Sequence, residues 1–245
     1  MKLSELLEYC ASEVLDDRTV LLAGDADSLY SDVVLTRYLN YAQNRLCLRS
    51  WALIDKGHAD AGVLVLQTGV SVYKLHPSVL RVLAVVPEDQ TAPIYNFDDD
   101  TLISPRPDYL APWPDIDNTS AASAGRPLGF STETGTKLIR IARVPSSTEN
   151  GLRLIMRVAR LPVTPLTVED MDAEPEIPAE YHMDIASYAI GRALLHPNVD
   201  EDHKAEGKRL LDEFEVRVKE ARQDRQRFAA NDRVWAYNSA TSTIR

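Results

Sequence analysis

The sequence predicts an α+β fold: a four-helix bundle of two N-terminal and two C-terminal helices, an inserted antiparallel β region, and a flexible C-terminal tail. Three observations predict it. Apolar side chains recur every three to four residues near both ends of the chain, as in amphipathic helices. The apolar period becomes two in the middle, as in strands. Composition changes sharply at both ends of that middle region, which indicates an insertion. We expect the bundle at 1–60 and 177–228, the β and loop region at 61–176, and the tail at 229–245.

The two N-terminal helices are predicted from their apolar spacing. The first is marked by Leu3, Leu6, Leu7, Cys10 and Val14, and it ends near residues 16–17. Ser31 and Asp32 offer a cap for a second helix that includes RYLNYAQNRLCLRSWALI. Asn40 and Gln43 fall near its apolar face, so we expect them to form helix-to-helix hydrogen bonds.

The middle of the chain predicts strands separated by a long loop. GVLVLQ (62–67), VSVYKLH (70–76) and VLRVLAVV (79–86) are rich in Val and Leu and are bounded by turn residues. Residues 87–130 are rich in Pro, Asp, Ser and Ala, which favours an extended loop with Tyr109 and Trp113 as anchors. Two alternating segments, 136–145 and 151–160, then predict a hairpin joined by SSTENG.

Residues 177–228 predict an antiparallel helix pair with one shared apolar seam. Pro178 suits a first helical turn, and HPN (196–198) ends the first helix of the pair. The acidic run at 200–202 suits the positive end of the next helix dipole. After Phe228 the stretch AANDRVWAYNSATSTIR shows no helical period, so we expect an unpacked tail.

Composition excludes several classes of protein. A net charge of −10 argues against general binding of nucleic acid. Cys10 and Cys47 lie in apolar helical patterns, which indicates buried free thiols and a reducing compartment. The sequence shows no apolar run of about 18 residues and no signal-peptide pattern, so we expect no membrane span and a soluble protein that is intracellular when synthesised.

The sequence contains no familiar catalytic motif. Three histidines and three nearby aspartates are candidate metal ligands: His182, His196, His203, Asp184, Asp200 and Asp202. Their spacing matches no standard metal site, so solvated or helix-capping roles are favoured for them. The acidic run at 98–100 lacks the other ligands of a calcium loop. We therefore predict no catalytic residue, no cofactor and no metal. A small metal-dependent hydrolase is the alternative from a different class.

The end of the chain combines arginines with aromatic residues, the types most enriched in binding hot spots. The candidate binding residues are Arg225, Arg227, Phe228, Arg233, Trp235 and Tyr237. Two alternatives stay open. Phe228 and Trp235 could pack on the chain's own core, or the basic tail could bind DNA, which the negative charge of the whole chain disfavours.

Three stretches follow one another in an order that resembles a known family. They are RYLNYAQNRL (37–46) on the second helix, the strands LIRIARVP and LRLIMRVARLP, and IPAEYHMDIASYAIGRALL before an acidic break and a long charged helix. This pattern, over roughly residues 3–228, resembles the head–tail connector (adaptor) proteins of tailed bacteriophages.

The resemblance implies a structural virion protein that is not an enzyme. Such proteins form rings, typically of twelve copies, below the portal, where they extend the channel for DNA packaging and ejection and provide the platform for the tail. It implies portal, tail or nozzle proteins and further copies of the chain as partners, with double-stranded DNA passing without sequence-specific contact. The expected location is the virion neck, and the host cytoplasm during assembly.

The resemblance also implies roles for particular residues. The C-terminal segment of these proteins commonly docks into the portal, so the six candidate binding residues are expected to face it. Tyr95, Tyr109 and Trp113 are expected to face the tail or a neighbouring copy. Another neck component, such as a tail-completion or stopper protein that binds the adaptor, is the structural alternative.

Overall fold

The computed structural model describes residues 1–13, 31–96, 124–133, 136–196, 199 and 201–241, with the side chains of the last helix as far as Arg227. These residues form an α+β fold with four α-helices and eight strands. The chain divides into two compact units, Ile54–Arg160 and a helical unit of Met1–Leu53 with Leu161–Arg245. The predicted end of the first helix, the acidic run at 98–100, and the anchors Tyr109 and Trp113 lie outside the described residues.

The helical unit contains helices α1 (Leu3–Glu13), α2 (Asp32–Ser50), α3 (His182–Leu194) and α4 (Glu201–Thr241). All four contribute to one apolar core, whose fully buried members include Leu3, Leu6, Leu35, Leu39, Leu46, Ile185 and Phe214. Cys10 and Cys47 are buried in this core as free thiols, as predicted. Burial raises the pKa of Cys10 to about 12, so this thiol is protonated at neutral pH.

Helix α2 ends earlier than the sequence predicts. Trp51 adopts a left-handed conformation with φ 55°, and its N–H donates to the carbonyl of Cys47. This left-handed residue ends the helix and turns the chain. Ile54–Lys56 is therefore a strand, and the prediction of a helix running through Ile54 is wrong.

Helices α3 and α4 form the predicted antiparallel pair. Pro178 precedes a short 3-10 turn, Ala179–Tyr181, which leads into α3. The rings of Tyr188 and Phe214 lie 4.8 Å apart across the seam. Gly191 and Gly207 face each other near the turn between the helices, where the two backbones come into contact.

Helix α4 is longer than predicted, and the expectation of a non-helical tail after Phe228 is wrong. The helix continues to Thr241, a length of 41 residues or about 60 Å. The prediction failed because the end of this helix has no apolar stripe. A helix without a core-facing stripe gives no periodic signal, although no glycine or proline after Gly207 interrupts it.

The Ile54–Arg160 unit contains two sheets. In the first, β8 (Arg153–Arg160) is central and pairs antiparallel with β1 (Ile54–Lys56), β2 (Val63–Val65) and β4 (Val79–Pro87). The second sheet contains β3 (Val72–Lys74), β5 (Tyr95–Asn96), β6 (Gly129–Glu133) and β7 (Leu138–Ala142). Its strand order is β3–β7–β6–β5, and β5 and β6 are parallel.

The predicted hairpin of 136–145 with 151–160 is wrong, because β7 and β8 belong to different sheets. Their connection is a 3-10 turn, Ser147–Glu149, that carries a capping box. The side chain of Ser146 accepts the N–H of Thr148, and Glu149 accepts the N–H of Ser146. Gly151 then turns the chain with φ 84°. Strands β5 and β6 also occupy parts of the region predicted as loop.

Residues 161–176, expected within the β insertion, belong to the helical unit. Asn40 fixes this linker. Its Nδ2 donates to the carbonyl of Leu166 (2.8 Å), and its Oδ1 accepts the N–H of Leu166 (2.9 Å). The expected helix-to-helix hydrogen bond of Asn40 is therefore replaced by a bond to linker backbone. Gln43 donates to Asn40 Oδ1 at 3.4 Å, within its own helix.

Candidate interaction surface

Helix α4 presents two unlike flanks. Phe214, Val218 and Ala221 are buried and mark the face that packs on the core. Successive residues of an α-helix are about 100° apart around the axis. Lys219 and Arg222 therefore lie on one side of the buried face, and Glu220 and Asp224 lie on the other.

The first flank, called the basic flank, is a groove between α4 and the end of α2. Its lining residues are Leu48, Arg49, Trp51, Glu215, Val218, Lys219 and Arg222. Leu48 is 56% exposed and Trp51 is 37% exposed, so the groove has an apolar floor open to solvent. Glu215 is held within the chain by Arg45, at 2.6 Å, and by Arg49.

Lys219 and Arg222 are the available charges of the basic flank. Both side chains are exposed. Within the part of the chain that the structure describes, neither has an ion-pair or hydrogen-bond partner. The flank therefore offers two unpaired cations beside exposed apolar surface.

The second flank, called the acidic flank, is a groove between α4 and the start of α3. Four of its lining residues are acidic and two are arginines: Glu180, Asp184, Glu220, Asp224, Arg217 and Arg225. Arg217 lies between two of the acids, with its Nε 3.7 Å from Asp184 and an Nη 2.9 Å from Glu220. Met183, 40% exposed, gives this groove an apolar element as well.

Burial and the nearby arginine act in opposite directions on Asp184. Burial raises the pKa of this carboxyl group, and the guanidinium of Arg217 partly offsets the rise. Glu180 and Asp224 are exposed, and Asp224 is 3.5 Å from Arg227. Glu220 is exposed as well, but it is paired with Arg217.

The six candidate binding residues all fall on helix α4, between Arg225 and Tyr237. Arg225 is half-buried and donates to the carbonyl of Ala52 at 2.9 Å, so it ties α4 to the end of α2. Arg227 is exposed. The side chains of Phe228, Arg233, Trp235 and Tyr237 lie outside the described part of the helix.

Both helices beside α4 end near Arg225. On one side, the chain leaving α2 meets Arg225 at Ala52. On the other side, α3 begins at His182. The 3-10 turn before it, Ala179–Tyr181, lines the acidic groove together with Arg225. Residues 226–241 therefore continue the helix past the ends of α2 and α3.

Tyr95 belongs to a different compact unit from helix α4. It is in strand β5 of the Ile54–Arg160 unit and is 44% exposed.

Sequence reasoning missed the basic flank, especially Leu48, Lys219 and Arg222. A signal was present, because residues three apart on a helix share a face, but only the fold shows that the end of α2 lies beside them.

The expectation of a solvated or capping His182 is wrong. This side chain is 2% exposed, and its Nε2 donates to the carbonyl of Ile177 at 3.1 Å. Burial lowers the pKa of His182, so the imidazole is neutral near neutral pH. Among the described residues, no three His, Cys, Asp or Glu side chains are grouped so that they could hold a metal ion.

In the described ranges, no helix combines the length and the apolar character needed to cross a bilayer. The model of the SU10 adaptor protein family matches residues 1–235. No curated protein matches the chain.

Proposed function

Because the chain belongs to the SU10 adaptor protein family, a family of phage head–tail adaptors, we propose that it forms a ring below the portal. Adaptors of this kind are structural proteins that interact with portal and tail proteins in the virion neck. The proposed ring has twelve copies, extends the DNA channel and provides the platform for the tail. It assembles on the portal in the host cytoplasm.

The extension of helix α4 past its neighbours is the observation that carries the proposed portal contact. Residues 226–241 continue the helix beyond the ends of α2 and α3. The segment contains Arg227, Phe228, Arg233, Trp235 and Tyr237, residue types that dominate binding hot spots. We assign these five residues to the portal interface, with Arg225 fixing the base of the helix.

The helical unit supplies the body of the proposed ring. Its helices contribute to one core, and we propose that they form a four-helix bundle, from which α4 projects toward the portal. The β insertion, Ile54–Arg160, is proposed to face the tail or a neighbouring copy through Tyr95, with Tyr109 and Trp113. A net charge of −10 per copy favours a channel through which DNA passes without being held.

Two truncations test the portal contact. Deleting residues 229–245 removes most of the proposed interface, whereas deleting residues 242–245 removes only the residues after the end of helix α4. The longer deletion is expected to weaken co-purification with the portal at least about tenfold, the loss that follows from removing one hot-spot residue. The shorter deletion is expected to bind as the full chain does.

Equal binding of the portal by both truncated chains would contradict the proposed contact. A full-length chain that does not bind the portal, but binds a preformed portal–adaptor complex, would identify it as a stopper or tail-completion protein. Circular dichroism of both truncated chains checks that the helical unit remains folded.

A further inference from the structure

We propose that neighbouring copies in the ring associate through the two flanks of helix α4, the basic flank of one copy binding the acidic flank of the next. This inference rests on the proposed function, because it names the surfaces that join the copies of the proposed ring. The occupant of each groove is thus a second copy of this chain.

The charges of the two grooves are complementary. The basic flank has three cationic side chains and one carboxylate, and that carboxylate is already held by Arg45 and Arg49. The acidic flank has four carboxylates and two arginines, both of which bond within their own chain. The exposed charges that the chain itself leaves unpaired on the basic flank are Lys219 and Arg222. On the acidic flank Glu180 and Asp224 are exposed to a partner, although Asp224 also lies 3.5 Å from Arg227.

Each groove also contains exposed apolar surface at its floor or edge. Leu48 and Trp51 supply it on the basic flank, and Met183 supplies it on the acidic flank. Apolar contact surrounded by unlike charges is the usual composition of a specific protein interface. The charges would select and orient the neighbour, while burial of the apolar side chains would supply affinity.

The placement of the flanks favours a head-to-tail contact over a two-fold dimer. A two-fold dimer that pairs like flanks would bring Lys219 and Arg222 against their own equivalents. In a head-to-tail contact the unlike flanks meet, and both remain available on every copy because they lie on opposite sides of α4. A head-to-tail contact that closes on itself generates a ring.

Charge reversal on each flank gives a specific test. The chain with K219E and R222E carries two acidic flanks, and the chain with E180K and D224K carries two basic flanks. All four residues are exposed, so we expect both chains to fold. K56E with K74E, on exposed strand residues, and E169K with D170K, on exposed linker residues, reverse the same numbers of charges elsewhere.

Native mass spectrometry and electron microscopy of chains bound to the portal give the readout. Each flank-reversed chain alone is expected to bind the portal as separate copies and to form at least about tenfold fewer closed rings than the wild type. An equimolar mixture is expected to restore rings, because chains with two acidic and two basic flanks can alternate. Both control chains are expected to form rings as the wild type does.

Two results would overturn the inference: rings at the wild-type yield from either flank-reversed chain alone, or no restored association in the mixture. Association of the two flank-reversed chains with each other can also be measured without portal, by sedimentation at increasing salt. Failure of the wild type to bind the portal would instead contradict the proposed function. The two failures are therefore distinguishable.

Discussion

Two glycines determine how closely helices α3 and α4 approach. A Cβ atom at Gly207 would lie 2.9 Å from the carbonyl oxygen of Gly191 and 3.0 Å from the Cβ of Leu194. A Cβ at Gly191 would lie 3.0 Å from the carbonyl oxygen of Gly207. Carbonyl oxygens cannot move without displacing a helix, so side chains at these positions would separate the pair.

Substituting Gly207 by alanine is expected to lower the free energy of unfolding by about 1–3 kcal/mol, the usual cost of overpacking. Alanine has the higher helix propensity by about 1 kcal/mol, which acts in the opposite direction. The matched control is Lys208→Ala, at the exposed neighbouring position, which is expected to change stability little. Urea unfolding measures the free energy of unfolding of both substituted chains. A Gly207→Ala chain as stable as the wild type would show that the helices are not in close contact.

His182 is expected to make stability depend on pH. Burial lowers its pKa in the folded chain below 6.5, so the unfolded chain binds the proton first as the pH falls. The stabilising contribution of the neutral imidazole is therefore complete above about pH 6.5 and is lost progressively below it. The melting temperature should fall between about pH 7.5 and about pH 5.5, and this fall should be smaller in His182→Gln. Equal pH dependence of the two chains would contradict the assignment.

At the scale of elements, the 161–176 linker shows how a polar side chain fixes a segment without regular structure. Asn40 satisfies both backbone groups of Leu166, whose side chain is buried in the core. At the other end of the linker, the N–H groups of Leu3 and Ser4 donate to the carbonyls of Ala173 and Met171. The linker is thereby bonded to α2 and to the start of α1.

Replacing Asn40 by alanine is expected to lower the free energy of unfolding by about 1–3 kcal/mol, because the N–H and C=O of Leu166 lose their partners. Asn44→Ala is the matched control, since Asn44 is exposed one turn further along the same helix. Hydrogen exchange should show faster exchange of the Leu166 amide in Asn40→Ala alone. Unchanged exchange there would mean that Asn40 does not hold the linker.

The spacing of apolar residues predicted individual helices and strands well, but it predicted poorly which strands pair with each other. The α3–α4 pair and the alternation in β7 and β8 are properties of short stretches, so the sequence alone indicates them. The partners of β7 are β3, which is distant in sequence, and β6, which directly precedes it but begins in the region predicted as loop. Nothing in LIRIARVP specifies either partner. The end of helix α4 was missed for a different reason. Its sequence after Phe228 shows no apolar stripe, which is the signal by which an amphipathic helix is recognised.

At the scale of the whole molecule, the order of elements and the family match together indicate a phage adaptor. The apolar helical patterns around Cys10 and Cys47 correctly predicted buried free thiols, and the candidate binding residues near the end of the chain stay a prediction. The two flanks could not be predicted from the sequence, because they depend on which face of α4 is buried and on where α2 ends. In the proposed ring the end of α4 contacts the portal, its flanks contact neighbouring copies, and Tyr95 of the β insertion contacts the tail or a neighbouring copy.

Electron cryomicroscopy of the chain assembled on its portal gives the decisive measurement for this arrangement. We predict a closed ring in which residues 226–241 of helix α4 contact the portal, and Lys219 and Arg222 of one copy face Glu180 and Asp224 of the next. A ring that contacts the portal through the Ile54–Arg160 unit, with the end of α4 directed away from it, would contradict the proposed function.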